Sequence, residues 1–176
     1  MADAQLEAAK QQMLNGQLRR RGIVDARVLA AMANVPRERF VAEPNRGESY
    51  ADRALPIDCS QTISQPYIVA LMTEAMELAG WETILEVGTG SGYQAAVLAE
   101  LAQEVVTIER HPELAEQASE VLHALGYRNV TTLVADGTLG WPPRSPFDRI
   151  IVTAAAADYP PALFDQLKEG GILVIP

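Results

Sequence analysis

The amino-acid sequence predicts an α/β protein: a mostly parallel sheet with helices on both faces, preceded by a helical N-terminal extension. Three observations carry this. From Thr83 onward, short apolar runs alternate with segments of helical periodicity. The runs are apolar on successive residues rather than alternate ones, as strands buried on both faces require. The first run, Ile84-Leu85-Glu86-Val87, leads through Gly88, Gly90 and Gly92 into an apolar helical pattern, a strand–glycine turn–helix junction.

The elements follow in order. Residues 3–14 and 25–34 read as two short helices, with Leu6, Ala9 and Met13, then Val28, Leu29 and Met32, on their apolar faces. Asp25 is the expected N-cap of the second. Pro36 and Pro44 interrupt the pattern, and 44–62 reads as loop. A third helix is predicted over 65–78, with Pro66 in its first turn and a stripe of Ile68, Val69, Leu71, Met72 and Met76. Strand 83–87 then precedes helix 92–102, strand 104–109 precedes helix 112–125, and strand 129–135 runs into a Gly/Pro-rich loop. Strand 147–153, helix 160–168 and strand 171–175 close the pattern. Ligands in such sheets bind at the carboxyl ends of the strands, beside the switch point in strand order.

The 176 residues suit one domain, with 1–80 as a helical cap and active-site loop and 81–176 as the ligand-binding sheet. At net charge −9, with Arg19-Arg20-Arg21 the only basic cluster, the chain lacks the broad positive field that nucleic acid requires. One cysteine, Cys59, rules out an internal disulfide and fits a reducing compartment. Without a signal-peptide pattern or a span of roughly 20 apolar residues, the reading is a soluble cytoplasmic protein. Two histidines, His111 and His123, lack ligand spacing, so no metal is expected. Pro176 directly follows an apolar strand, which leaves a sheet edge that further strands or other cover would have to protect.

Four places carry candidate chemistry. The glycine loop brings bare backbone toward a ligand at the positive end of a helix. A dinucleotide fingerprint counted from Gly88 fails at Tyr93; counted from Gly90 it is met only in looser form. Glu109 ends the next strand, where its oxygens can accept ribose hydroxyl protons; the plain alternative is a solvated strand-end charge paired with Arg110. Asp136-Gly137 ends the third strand, as an acceptor for an exocyclic amine or as a simple turn. In Gln61-Thr62-Ile63-Ser64-Gln65-Pro66, Ser64 reads locally as a helix cap. Glu86, inside an apolar strand, needs a partner: it faces the ligand, or a Lys or Arg neutralises it.

Taken together these residues resemble the protein-L-isoaspartate O-methyltransferases. The resemblance runs through Val35-Pro36-Arg37-Glu38-Arg39-Phe40, Tyr50 and Asp52, Ala54-Leu55-Pro56-Ile57, the 61–66 segment, Leu85 to Tyr93, Glu109-Arg110, Asp136-Gly137 and Gly170 to Pro176. It implies a Rossmann-like methyltransferase fold with further strands past Pro176, S-adenosylmethionine as methyl donor, and isoaspartyl residues of damaged proteins as acceptors. It implies Ser64 as the catalytic residue, against the cap reading. It places Ile63, Gln65, Gly88, Gly90, Gly92, Tyr93, Glu109, Arg110, Asp136 and Gly137 at the cofactor, and Thr62, Ala154 and Ala155 at the substrate. Relatives often have glycine where this chain has Ser60, so that loop is expected to differ slightly. A cofactor-binding module without turnover and a nucleotide-dependent oxidoreductase are the alternatives; Tyr93 argues against the second.

Overall fold

The structure is a computed structural model and describes residues 2–154 and 161–176. Helix α1 (Ala2–Gln12) continues through a π-helical turn, Met13–Leu18, and a 3-10 turn, Arg19–Arg21, ending at Gly22 in the left-handed region. Helix α2 (Ala26–Asn34) begins at Asp25, whose carboxylate accepts from the N–H of Arg27 at 2.7 Å and Val28 at 3.4 Å, as the cap reading requires. Two 3-10 turns follow, Arg37–Phe40 and Glu43–Glu48.

The segment 44–62 is more than the expected loop. Strands β1 (Leu55–Pro56) and β2 (Thr62–Ile63) pair antiparallel, pairing Leu55 with Ile63. Cys59 and Ser60, at φ 55 and 57, form the tip, closed by the bond from Gln61 N–H to Asp58 O at 3.1 Å. Two consecutive left-handed residues match the twist of a hairpin, but the sequence lacks the Asn-Gly signal that normally announces one. Ser60 thus holds a backbone conformation that glycine adopts at no steric cost.

Helix α3 (Pro66–Ala75) stops short of the predicted 78, and Leu71 of its predicted apolar stripe is 41% exposed. The remaining elements are β3 (Thr83–Val87), α4 (Tyr93–Ala99), β4 (Glu104–Glu109), α5 (Pro112–Ala124), β5 (Val130–Val134), β6 (Phe147–Val152), α6 (Pro161–Phe164) and β7 (Leu167–Val174). The last strand starts earlier than expected. Its pairing with β6 shifts between Phe147 and Arg149, and Lys168 Nζ holds Asp148 at 2.7 Å across the irregularity.

The five long strands form one parallel sheet in the order β5-β4-β3-β6-β7. Strand order reverses at β3, so the loops after β3 and β6 diverge and leave a crevice. One core joins the N-terminal helices, α3 and α4 to one sheet face, from Met13, Leu18 and Met32 to Ile84, Val105 and Ile151. The opposite face holds a smaller cluster of Leu85, Val87, Val106, Ile108, Phe147 and Ile150. Among the described residues, no helix is long and apolar enough to cross a membrane.

Candidate active site

A cleft of about 190 Å³ opens at the switch point. The ends of β3, β4, β5 and β6 and the turn before α3 line it, so residues spread from 61 to 154 meet in one place.

Gly88, Gly90 and Gly92 all take positive φ, at 101, 53 and 86. Their tasks differ. At Gly88 a Cβ would sit 2.8 Å from Thr153 Oγ1, so the loop can pass under the end of β6 only without a side chain. Gly90 exposes its backbone to the cleft, with Ile57 of the hairpin nearby. Gly92, expected at the cofactor, does not line the cleft: it packs on α5, where a Cβ would meet Ala118 Cβ at 3.1 Å. The third glycine serves helix–helix contact rather than ligand approach.

Glu109 is 6% exposed and is held by the backbone. Its Oε1 accepts from the N–H groups of Arg110 at 2.9 Å and His111 at 3.1 Å, while Oε2 accepts from Gly90 N–H at 2.9 Å. Oε1 is therefore saturated, and Oε2 keeps a lone pair. The pairing with the Arg110 side chain is not seen; that guanidinium donates to His111 Nε2 at 3.1 Å.

Asp136 accepts from Thr138 N–H at 3.0 Å and Thr138 Oγ1 at 2.8 Å, bonds that hold its carboxyl below the usual aspartate range. It therefore caps the 3-10 turn Gly137–Leu139 and also borders the cleft. A Cβ on Gly137 would overlap Val87 Cγ1, so only glycine lets this turn close over β3.

Ser64 lines the cleft together with Thr62 and Ile63. The cap reading of Ser64 does not hold: Gln65 occupies the N-cap of α3, and Ser64 Oγ makes no hydrogen bond among the described residues. Its carbonyl accepts from Arg37 Nη2 at 2.7 Å. Gln65, expected at the cofactor, does not line the cleft; its amide donates to Asp52 Oδ1 at 2.8 Å and Asp52 O at 3.1 Å. Tyr93 borders the cleft but is 1% exposed, its ring packed edge-to-face on Phe40. Ala154 borders the cleft, and Ala155 lies outside the described residues.

Four threonines have no role in the sequence reading. Thr153 donates to Gly88 O at 2.5 Å, Thr138 serves Asp136, and Thr89 shares a 2.7 Å hydrogen bond with Thr107. Thr153 and Thr138 follow strand ends, the signal that pointed to Glu109. Glu86 resolves differently from both expectations. It is fully buried, neither oxygen has a hydrogen-bond partner among the described residues, and it does not line the cleft. Burial, with the nearby charge of Glu109, pushes its pKa up to about 8, which favours the neutral carboxyl at pH 7 without a Lys or Arg partner.

A nucleoside-bearing methyl donor fits this donor set. Gly88, Gly90 and Gly137 border the cleft with backbone alone, Glu109 Oε2 offers an acceptor, and Val87, Ile108, Val69 and Met72 supply apolar wall.

The chain is similar to known proteins over most of its length. Residues 8–176 match the family model described as protein-L-isoaspartate(D-aspartate) O-methyltransferase. The chain is 58% identical over 170 residues to protein-L-isoaspartate O-methyltransferase 1 of Syntrophobacter fumaroxidans, covering 97% of this chain and 79% of that one. Among solved structures, a protein-L-isoaspartate O-methyltransferase superposes with TM-score 0.84 at 33% identity, over 95% of this chain; the chain spans 55% of that protein's length. A β-aspartate methyltransferase from Plasmodium falciparum, solved with S-adenosyl-L-homocysteine, gives TM-score 0.78 at 27% identity, covering 94% of this chain and 82% of that one. With the family model matched from residue 8 to the last and a relative 58% identical over 97% of this chain, the chain belongs to the protein-L-isoaspartate(D-aspartate) O-methyltransferase family.

Proposed function

We propose that the protein transfers a methyl group from S-adenosylmethionine to the free α-carboxylate of L-isoaspartyl residues in damaged proteins, which starts their repair through a succinimide. One observation carries the reading: the glycine loop with Glu109 and the Thr62–Ser64 turn border the same cleft. S-adenosylmethionine supplies a methyl group on a positively charged sulfur.

The residues divide the work. Gly88 and Gly90 offer backbone, Glu109 Oε2 an acceptor for a ribose hydroxyl, and Asp136 with Gly137 the border against the base. Ser64 Oγ is the donor for one oxygen of the acceptor carboxylate, which leaves the other oxygen to attack. A main-chain carboxylate with pKa of roughly 3.5 is already ionised at neutral pH. No general base is therefore required. Placement of the two partners supplies most of the acceleration.

The test offers labelled S-adenosylmethionine and two peptides that differ only in isoaspartate against aspartate. Methylation of the isoaspartyl peptide alone is expected. Equal labelling of both, or labelling of neither, sinks the proposal.

A further inference from the structure

Arg37 is fully buried, yet no carboxylate neutralises it among the described residues. The neighbouring carboxylate, Glu38, accepts instead from Tyr50 Oη at 2.5 Å. Among the described residues the partners of Arg37 are neutral, and its Nη1 has none. Nε donates to Ser49 O at 2.6 Å, Nη2 donates to Ser64 O at 2.7 Å, and the guanidinium lies over the Tyr93 ring, 4.6 Å from its centroid. Burial lowers its pKa, a cost that an ordinary packing residue would not carry.

These three contacts join separate parts of the chain, two of which, Ser64 and Tyr93, border the cleft. Ser64 belongs to the turn before α3, Tyr93 is the first residue after the glycine loop, and Ser49 follows the second 3-10 turn. From its other side, the same turn is held by Asp52 through Gln65. A guanidinium is planar and rigid, so a fork that bonds two carbonyls and stacks on a ring fixes their separation.

We propose that Arg37 is a positioning residue: it sets the place of Ser64 relative to the glycine loop, and thereby the alignment of acceptor against donor. The inference rests on the reading of Ser64 as the acceptor-site hydroxyl.

The test uses Arg37→Lys, which keeps the charge but loses the fork, and Arg37→Gln, which loses both. Competent sites are counted by titration with S-adenosylhomocysteine, and turnover of an isoaspartyl peptide is expressed per site. Turnover per site is expected to fall about tenfold or more in both variants. Affinity for S-adenosylhomocysteine stays within about threefold, because no atom of Arg37 borders the cleft. Amide exchange over residues 61–65 speeds up about fivefold or more while that of α5 is unchanged. Unchanged turnover and exchange would overturn the inference. So would parallel loss of binding and turnover, failure to fold included. If the wild type binds S-adenosylhomocysteine but methylates no isoaspartyl peptide, the functional proposal fails instead, and the exchange readout alone decides the role of Arg37.

Discussion

Ser64 and Glu86 show two ways in which a polar residue can be placed. Ser64 borders a cleft with its hydroxyl unclaimed by the protein among the described residues, while its carbonyl is tied down. A hydrogen bond to a charged group contributes about 1.5–3 kcal/mol, which corresponds to roughly tenfold to a hundredfold in rate. Ser64→Ala should therefore lower turnover by that amount and leave affinity for S-adenosylhomocysteine nearly unchanged; calorimetric titration beside steady-state kinetics checks it. Equal losses in both would mean that the residue serves the fold. The neutral form of Glu86 is favoured in the folded state because its pKa is raised from 4.5 to about 8. The folded protein thus holds this proton more tightly than the unfolded chain. The stability that it contributes is complete below pH 4.5, declines as pH rises toward 8, and is flat beyond. The slope is about 1.4 kcal/mol per pH unit at most. In Glu86→Gln that slope disappears, so the melting temperature of the variant relative to wild type should climb between pH 5 and pH 8 and then level off. A constant difference across that range would refute the assignment.

At the scale of elements, the strands of the sheet were legible from the sequence and the hairpin was not. Continuous apolar runs such as Glu104–Glu109 mark buried parallel strands, and β4 spans the same residues as predicted. The β1–β2 hairpin escaped because its tip, Cys59-Ser60, carries none of the residues that usually take left-handed φ. A polar stretch rich in Asp, Ser and Gln looks like loop whether or not two residues pair on either side. The expectation that Ser60 marks a departure acquires a physical reason, since glycine would hold φ 57 without steric cost. Ser60→Gly is expected to stabilise the fold by about 0.5–1 kcal/mol, after the extra freedom of glycine in the unfolded chain is deducted. Urea denaturation measures it, and a loss of stability would show that the turn has no strain to relieve. Gly92 teaches the converse. Three alternate glycines invited one explanation, but the third answers to α5, and no sequence signal separates contact with a helix from contact with a ligand. Strand ends located Glu109 and Asp136, and the same reasoning carried one strand further would have reached Thr153.

Over the whole molecule, the helical extension and the sheet share one core. Met13, Leu18 and Met32 belong to the same buried cluster as Ile84, Val105 and Ile151. Arg27 adds a polar tie, donating to Leu78 O at 2.6 Å and to Leu101 O at 3.4 Å. The extension has no separate interior to retain once the sheet melts, which supports a single domain. Scanning calorimetry should give one transition whose calorimetric and van't Hoff enthalpies agree; two resolved transitions would show that residues 1–80 fold as a unit. The same economy bears on how this scaffold can be re-engineered. Glu109 answers to the amides of Gly90, Arg110 and His111 before any ligand arrives. A designer seeking a different donor molecule would break the frame by starting there, and should instead vary the rim at Thr138, where the side chain has only Asp136 to satisfy.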